Sequence, residues 1–236
     1  MIKIRELSLF LPAYNEEGSI AETVENCDKV MKTVAEKYEI LVVEDGSKDK
    51  TAEVVDRLLK IFPNLQMIQH KTNRGYGGAL KTGFYESKYD PLVFIDSDGQ
   101  FDLSEVTNLI ETKQKTKADM VIGYRIKRND PPKRLLLAQM LKFWNLLWFG
   151  FWLKDVDCAF KLISRRVING IPRLKSDGGI VSSELMAKVK KCGFKYVQVG
   201  VHHYPRTKGK STGDNLKVIS KAITESWAIW KDLNHV

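Results

Sequence analysis

Short apolar runs, three of which break off into a polar, acid-bearing loop, constrain this 236-residue chain more than any other feature. Leu92-Val93-Phe94-Ile95 leads straight into Asp96-Ser97-Asp98-Gly99-Gln100. Residues 7–12 lead into Ala13-Tyr14-Asn15-Glu16-Glu17, and residues 40–43 into Glu44-Asp45-Gly46-Ser47. Two more runs, 65–68 and 120–124, complete a set of five. Apolar, partly β-branched runs of this length read as strands buried on both faces. Between them lie helical patterns: Ile20, Val24, Val30 and Val34 near one face of a helix reaching about Lys37, then 51–61, then about 104–115. Ser19 followed by Glu22 fits a capping box at the first helix. Strands alternating with helices predict an α/β fold with a mostly parallel sheet, whose ligand sits outside the carboxyl ends of the strands. Tyr14, Asp45, Asp96 and Asp98 all fall there.

If the chain stays extended past Ile95, Asp96 and Asp98 point to the same side. Neighbouring carboxylates repel each other unless a cation lies between them. Hard oxygen ligands suit Mg²⁺ or Mn²⁺, which then takes further ligands from phosphate. A strand end followed by an Asp-Gly turn accounts for the same residues, and on these residues alone both readings stand. Gly75-Tyr76-Gly77-Gly78 is not a dinucleotide fingerprint, because the spacing differs and it follows the third strand rather than the first. Its glycines serve either a close backbone approach to phosphate or a turn.

The formal net charge of +9 calls for an anionic partner such as a nucleotide or lipid headgroups. Nucleic acid is not expected: the basic residues are scattered, and no recognition motif for it is present. Cys27, Cys158 and Cys192 form neither a disulfide framework nor a metal pattern, which predicts a reducing, cytoplasmic setting. The charged N-terminus lacks the apolar run of an export signal.

Six segments in order carry a family resemblance. They are Leu-Pro-Ala-Tyr-Asn-Glu-Glu at 11–17, Val-Glu-Asp-Gly-Ser-Lys-Asp-Lys-Thr at 43–51, Asn-Arg-Gly-Tyr-Gly-Gly-Ala-Leu at 73–80, Asp-Ser-Asp-Gly-Gln at 96–100, Asp-Cys-Ala-Phe-Lys at 157–161 and His-Tyr-Pro-Arg-Thr-Lys-Gly-Lys-Ser at 203–211. Together they resemble family 2 glycosyltransferases of the GT-A fold, in the polyprenyl-phosphate branch that includes dolichol-phosphate mannosyltransferases. The resemblance implies a GT-A (Rossmann-like) domain over 1–213 and a metal-dependent, inverting transfer of a hexose, mannose or glucose. The implied donor is a GDP or UDP sugar, the acceptor a polyprenyl phosphate and the cofactor Mg²⁺ or Mn²⁺. It assigns Pro12, Ala13, Tyr14 and Glu16 to the base and ribose, and Asp45 to reading one of them. It assigns Asp96, Asp98 and Gln100 to the metal and diphosphate, with Gly78, Lys81, Ser97, Lys208 and Ser211 among the donor-binding residues. Arg125 and Arg206 would meet phosphates, with Asp157 beside them among the catalytic residues. Ala159 departs from the glycine that many relatives carry.

An acceptor that is already an ionised phosphate needs cations rather than a base, and Arg206, Lys208 and Lys210 stand in one loop. A hydroxyl acceptor would instead need Asp157 or Asp155 as base. A nucleotide-sugar-binding protein without turnover is the other alternative. No base partner for Cys158 is evident, so no thiol nucleophile is expected. His202 and His203 read as a packed strand end.

The apolar stretch 135–153, within an insertion at 131–154, approaches a membrane span in length. A crossing would divide Asp98 from Arg206 across a bilayer. Gln139, Lys142 and Asn145 instead line one side at helical spacing, which predicts an interfacial amphipathic helix with Trp144 and Trp148 at its flank. A core helix or a dimer interface explains the same pattern. A second amphipathic helix is expected over 214–236. The resemblance implies that many relatives continue there into transmembrane helices; with the sequence stopping at 236, attachment to a cytoplasmic membrane face is expected to be peripheral or through a partner.

Overall fold

The computed structural model describes residues 3–127, 132–206, 225–231 and 233, and of residues 132–137 the backbone alone. The chain runs β1 (Ile4–Ala13), α1 (Ile20–Val34), β2 (Ala35–Glu44), α2 (Thr51–Leu59), β3 (Leu65–Gln69), α3 (Tyr76–Glu86) and β4 (Leu92–Phe94). It continues with α4 (Val106–Thr116), β5 (Met120–Arg125), α5 (Pro132–Phe149), β6 (Lys161–Ile163), α6 (Arg165–Gly170), α7 (Val181–Lys191) and β7 (Tyr196–Val201). The described strands form one sheet in the order β3-β2-β1-β4-β6-β5-β7. Every neighbouring pair is parallel except β4–β6 and β5–β6, so the expected mostly parallel α/β sheet is present, with β6 reversed inside it.

Alternating side chains divide the core. Leu7, Leu9 and Leu11 face α1, α2 and α4 with Ile20, Val24, Val55 and Leu109. Phe10, Leu41 and Val43 face the opposite layer with Leu80, Phe84, Val167 and Leu185. In that second layer Phe10, Phe84 and Phe94 meet with ring centroids 5.1–5.3 Å apart. Gly83 lets α3 close onto β1: a Cβ there would come within 2.2 Å of the Phe10 ring. Ala13 pairs with Glu44 and Phe10 with Phe94, so the carboxyl ends of β1, β2 and β4 finish at one rim.

Several boundaries differ from the sequence reading. α1 stops at Val34 and β2 begins at the next residue, because β1 and β2 pair from Ile4↔Ala35 onward, well beyond their apolar runs. The capping box does not form: the Ser19 hydroxyl donates to Glu16 Oε2 (2.8 Å) and makes no cap bond. β4 ends at Phe94 and the chain turns at Ser97–Gly99, with Gly99 at φ 72°, so Asp96 and Asp98 do not share a side by strand alternation. The glycines at 75–78 open α3, and they serve close approach to protein backbone. A Cβ on Gly77 would lie 2.4 Å from the Ser176 carbonyl oxygen, and the Gly77 N–H donates to the Asp177 carbonyl.

The polar row expected along one side of α5 is split: Gln139 is exposed and Lys142 partly exposed. Asn145 is buried, with both amide atoms unpartnered, while Met140, Phe143 and Leu147 are 60%, 68% and 77% exposed. Trp144 packs on Trp148 (5.4 Å), and Trp148 packs edge-on against Trp230 of the C-terminal helical residues 225–231 (5.5 Å). Among the described residues no helix is long and apolar enough to cross a membrane. Ile229 is buried and Trp227 half exposed. The rest of the expected C-terminal helix, from 214 to 224, lies outside the described residues.

Candidate active site

The loops after β1 and β2 are laced together at the rim. The Asn15 N–H donates to Ser47 Oγ, and Asn15 Oδ1 accepts from the Lys48 N–H. The Glu16 and Glu17 N–H groups donate to Thr51 Oγ1 and Asp49 Oδ2. Asn15 takes a left-handed φ of 56° to make this turn. Pro12 and Ala13 are buried at the end of β1 and act through their carbonyls, which accept from Ser97 Oγ (2.8 Å) and the Asp45 N–H (2.9 Å). Tyr14 follows them, partly exposed.

Asp45 is buried, and its Oδ1 accepts from His70 Nδ1 (2.6 Å) and the Arg74 N–H (2.9 Å). His70 Nε2 in turn meets Thr82 Oγ1 (2.9 Å). A cavity of about 350 Å³ opens beside them, lined by Gly46, Ser47, Gln69, His70 and Lys71. The sequence reading missed His70, whose pairing with Asp45 needs β2 and β3 side by side.

At the end of β4, Asp96 Oδ1 accepts from the Tyr76 phenol (3.0 Å). Burial, and then the charge of Asp98, push the Asp96 carboxyl up to about 7. Burial, and then Asp96, hold the Tyr76 phenol protonated well above its ordinary range, so it remains a donor. Asp98 Oδ1 accepts from the Gln100 N–H (3.1 Å) and Asp98 Oδ2 from Arg206 Nη2 (3.0 Å). The same Nη2 donates to Glu16 Oε1 (2.9 Å). The Gln100 amide donates to the Tyr204 carbonyl, and the Tyr204 N–H returns a bond to the Gln100 carbonyl. Ser97 is buried with its hydroxyl held by Pro12, so any part it takes in donor binding runs through its backbone.

This donor set fits a divalent ion. Two crowded carboxylates, one of them hard to ionise, gain from a dication between them. Among the described residues no group of three or more His, Cys, Asp or Glu is arranged for a metal.

On the other side of the rim, Arg125 forms a two-pronged pair with the buried Asp155, Nε to Oδ2 at 2.6 Å and Nη2 to Oδ1 at 3.0 Å. Asp155 is thereby unsuited to act as a base, and the Arg125 guanidinium is shared with it before any ligand. Asp157 is exposed and close enough to Tyr76 for its charge to be felt there. Lys161, fully buried on β6, caps the carbonyls of Val156 and Cys158, which shapes the loop carrying both aspartates. Burial pulls its ammonium below the usual range, against the opposing charges of Asp155, Asp157 and Asp96 among others. Burial also pushes the Cys158 thiol up to about 12, consistent with an inert cysteine.

Lys81 turns away from the expected donor contact: its ammonium binds Asp177 Oδ1 (2.7 Å) and the Lys175 carbonyl (3.0 Å). Gly78 gives room to Arg74, whose Cβ would be 2.7 Å from an added Cβ. Lys208, Lys210 and Ser211 lie outside the described residues. His203 bridges to Phe101 and meets it edge-on (4.9 Å), the packed strand end expected, but His202 is exposed and its Nδ1 pairs with Glu105 Oε1 (2.8 Å).

The profile of the family described as "Glycosyl transferase family 2" matches residues 8–170. A dolichyl-phosphate beta-glucosyltransferase of Dictyostelium discoideum is 29% identical over 83% of this chain, which spans 65% of that protein's length. An undecaprenyl-phosphate 4-deoxy-4-formamido-L-arabinose transferase of Proteus mirabilis is 26% identical over 92% of this chain and 66% of its own. Among solved structures, glucosyl-3-phosphoglycerate synthase of Mycobacterium tuberculosis with Mn²⁺ and uridine-diphosphate-glucose superposes with a TM-score of 0.70 at 18% identity. That match covers 96% of this chain and 79% of the other, and it establishes the fold.

Proposed function

Because the chain belongs to glycosyl transferase family 2, we propose that it moves a hexose, glucose or mannose, from a UDP or GDP sugar onto a polyprenyl phosphate. The observation that carries this reading is Arg206, whose guanidinium stands 3.0 Å from Asp98 at the rim where the donor diphosphate would lie. A cation beside the leaving group suits an acceptor that is itself an anion. The dolichyl- and undecaprenyl-phosphate transferases among the relatives support the same acceptor class.

In this mechanism Tyr14 and the rim of β2 hold the nucleoside, with Asp45 kept in place by His70. Asp96 and Asp98, with Gln100 beside them, would hold Mg²⁺ or Mn²⁺, which when bound offsets charge on the departing diphosphate. Arg206 orients the acceptor phosphate so that one oxygen attacks the anomeric carbon as the bond to the diphosphate breaks. A single displacement inverts that carbon, giving a β-linked product from an α-linked donor. An ionised phosphate brings its own nucleophilic oxygen, so no proton needs removal. Were the acceptor a hydroxyl, the exposed Asp157 would be the carboxylate placed to act as base, since Asp155 is committed to Arg125.

The reading extends to peripheral contact with the cytoplasmic face of the membrane that contains the acceptor. The outward Met140, Phe143 and Leu147 of α5 support it, with the exposed Trp152 and Lys154 close by in sequence. Incubating the protein with radiolabelled UDP- and GDP-hexoses and a short polyprenyl phosphate tests the whole proposal. Butanol-extractable product that disappears with EDTA and returns with Mn²⁺ or Mg²⁺ is expected. Label appearing only on a sugar or protein hydroxyl would overturn the acceptor, and full turnover in EDTA would overturn the metal.

A further inference from the structure

Asp98 has one oxygen tied into its own turn and the other held by an arginine. Oδ1 accepts from the Gln100 N–H, and Oδ2 accepts from Arg206 Nη2, which divides its two hydrogens between Asp98 and Glu16. Each oxygen of Asp98 thus accepts one bond, and a metal that approaches Oδ2 meets the guanidinium already bound there. A dication at bonding distance would stand within about 5 Å of that guanidinium in a partly buried site, where like charges are weakly screened.

We propose that Arg206 and the divalent cation compete for Asp98, so that arrival of the metal and its diphosphate releases the arginine toward the acceptor phosphate. The inference rests on the metal and acceptor roles given above. The surrounding structure suits a side-chain swing. The backbone leading to Arg206 is fixed by the Phe101–His203 bridge and the paired bonds between Gln100 and Tyr204. Glu16, on the separate loop after β1, keeps a second hold on the guanidinium after Asp98 lets go.

The test is calorimetric titration of Mn²⁺ alone into the full chain and its Arg206→Gln, Arg206→Lys and Asp98→Asn variants, with folding checked by circular dichroism. Removing the competing charge should tighten Mn²⁺ binding about tenfold in Arg206→Gln. Arg206→Lys, which keeps the charge, should stay near the wild-type affinity, and Asp98→Asn should lose binding. In a second arm, farnesyl phosphate is titrated with and without saturating Mn²⁺ and UDP or GDP, and should bind the wild type at least several-fold more tightly with them. Equal Mn²⁺ affinity in wild type and Arg206→Gln, with Asp98→Asn inactive in binding, overturns the competition while leaving the metal role intact. Wild-type Mn²⁺ binding that survives Asp98→Asn removes the metal role and the competition together. Tightening in Arg206→Gln, with no glycosyl transfer to farnesyl phosphate by the wild type, upholds the competition and defeats the acceptor reading.

Discussion

The two halves of the rim are built from different materials. The half formed by the loops after β1 and β2 is held by bonds between side chains and backbone, such as Asn15 with Ser47 and Lys48. The half formed by 125, 155 and 206 is held by charge pairs, Arg125 with Asp155 and Arg206 with Glu16 and Asp98. Backbone lacing fixes a loop whether or not a ligand is present. Charge pairs can be exchanged for a charged ligand at little net cost, because one ionic partner replaces another. On the proposed reading the first half would be a preformed seat for a nucleoside, and the second a set of cations and carboxylates that a phosphate would re-pair.

That contrast can be broken by mutation, and the largest effect should come from the buried pair. Asp155→Ala removes the carboxylate that accepts two charged bonds from Arg125 and should cost about 3–5 kcal/mol of stability, measured by urea denaturation. A loss below about 1 kcal/mol would mean that the pair is exchangeable even without a ligand, which would sharpen the contrast. Next, Arg206→Ala should remove roughly 2–4 kcal/mol of transition-state stabilisation for transfer to polyprenyl phosphate, about 30- to 1000-fold in kcat/KM. Nucleotide affinity should change little, because the laced half loses only the Arg206 bond to Glu16; calorimetry with UDP and GDP checks this.

The third effect lies at the outer face of α5. Replacing Phe143 and Leu147 by Glu should lower binding to anionic liposomes by roughly 2–3 kcal/mol, read by sedimentation, with the melting temperature nearly unchanged. Trp144→Glu and Trp148→Glu should instead lower the melting temperature, since these rings pack on each other and on Trp230. The smallest effect is expected at Asp157→Asn, below about 1 kcal/mol in kcat/KM if the acceptor is an ionised phosphate. A loss of two or more orders of magnitude there, with Arg206→Ala nearly normal, would exchange the roles of the two residues and the class of acceptor.

The laced half was also the legible one. Tyr14 and Asp45 follow closely on apolar runs and could be placed at strand ends by counting along the chain, as could Asp96 and Asp98 beyond β4. The other half depends on pairings between segments 30 to 190 residues apart, which local patterns do not contain. β6, three residues long, has no periodicity to read, and neither its reversal nor the capping by Lys161 leaves a trace in the sequence. Tyr76 was visible only as a residue between glycines until α3 brought its phenol to Asp96. α5 shows a different limit: helical spacing groups Gln139, Lys142 and Asn145 on one side but does not say which side faces inward. Tertiary packing buried Asn145 and turned Phe143 outward.

The reversal of β6 has a further consequence for how such a scaffold can diversify. β5 leaves the sheet at the active rim, and β6, running antiparallel beside it, re-enters from that same rim. Residues 126–160, α5 included, are topologically one long hairpin excursion whose two ends are clamped side by side. Lengthening or exchanging such an excursion adds little closure entropy, since that cost grows only with the logarithm of loop length. The parallel strands that carry Asp45, Asp96 and Asp98 need not shift by a residue when it changes. A lineage can therefore exchange this excursion as a cassette while the strand ends that carry Asp45, Asp96 and Asp98 are inherited intact.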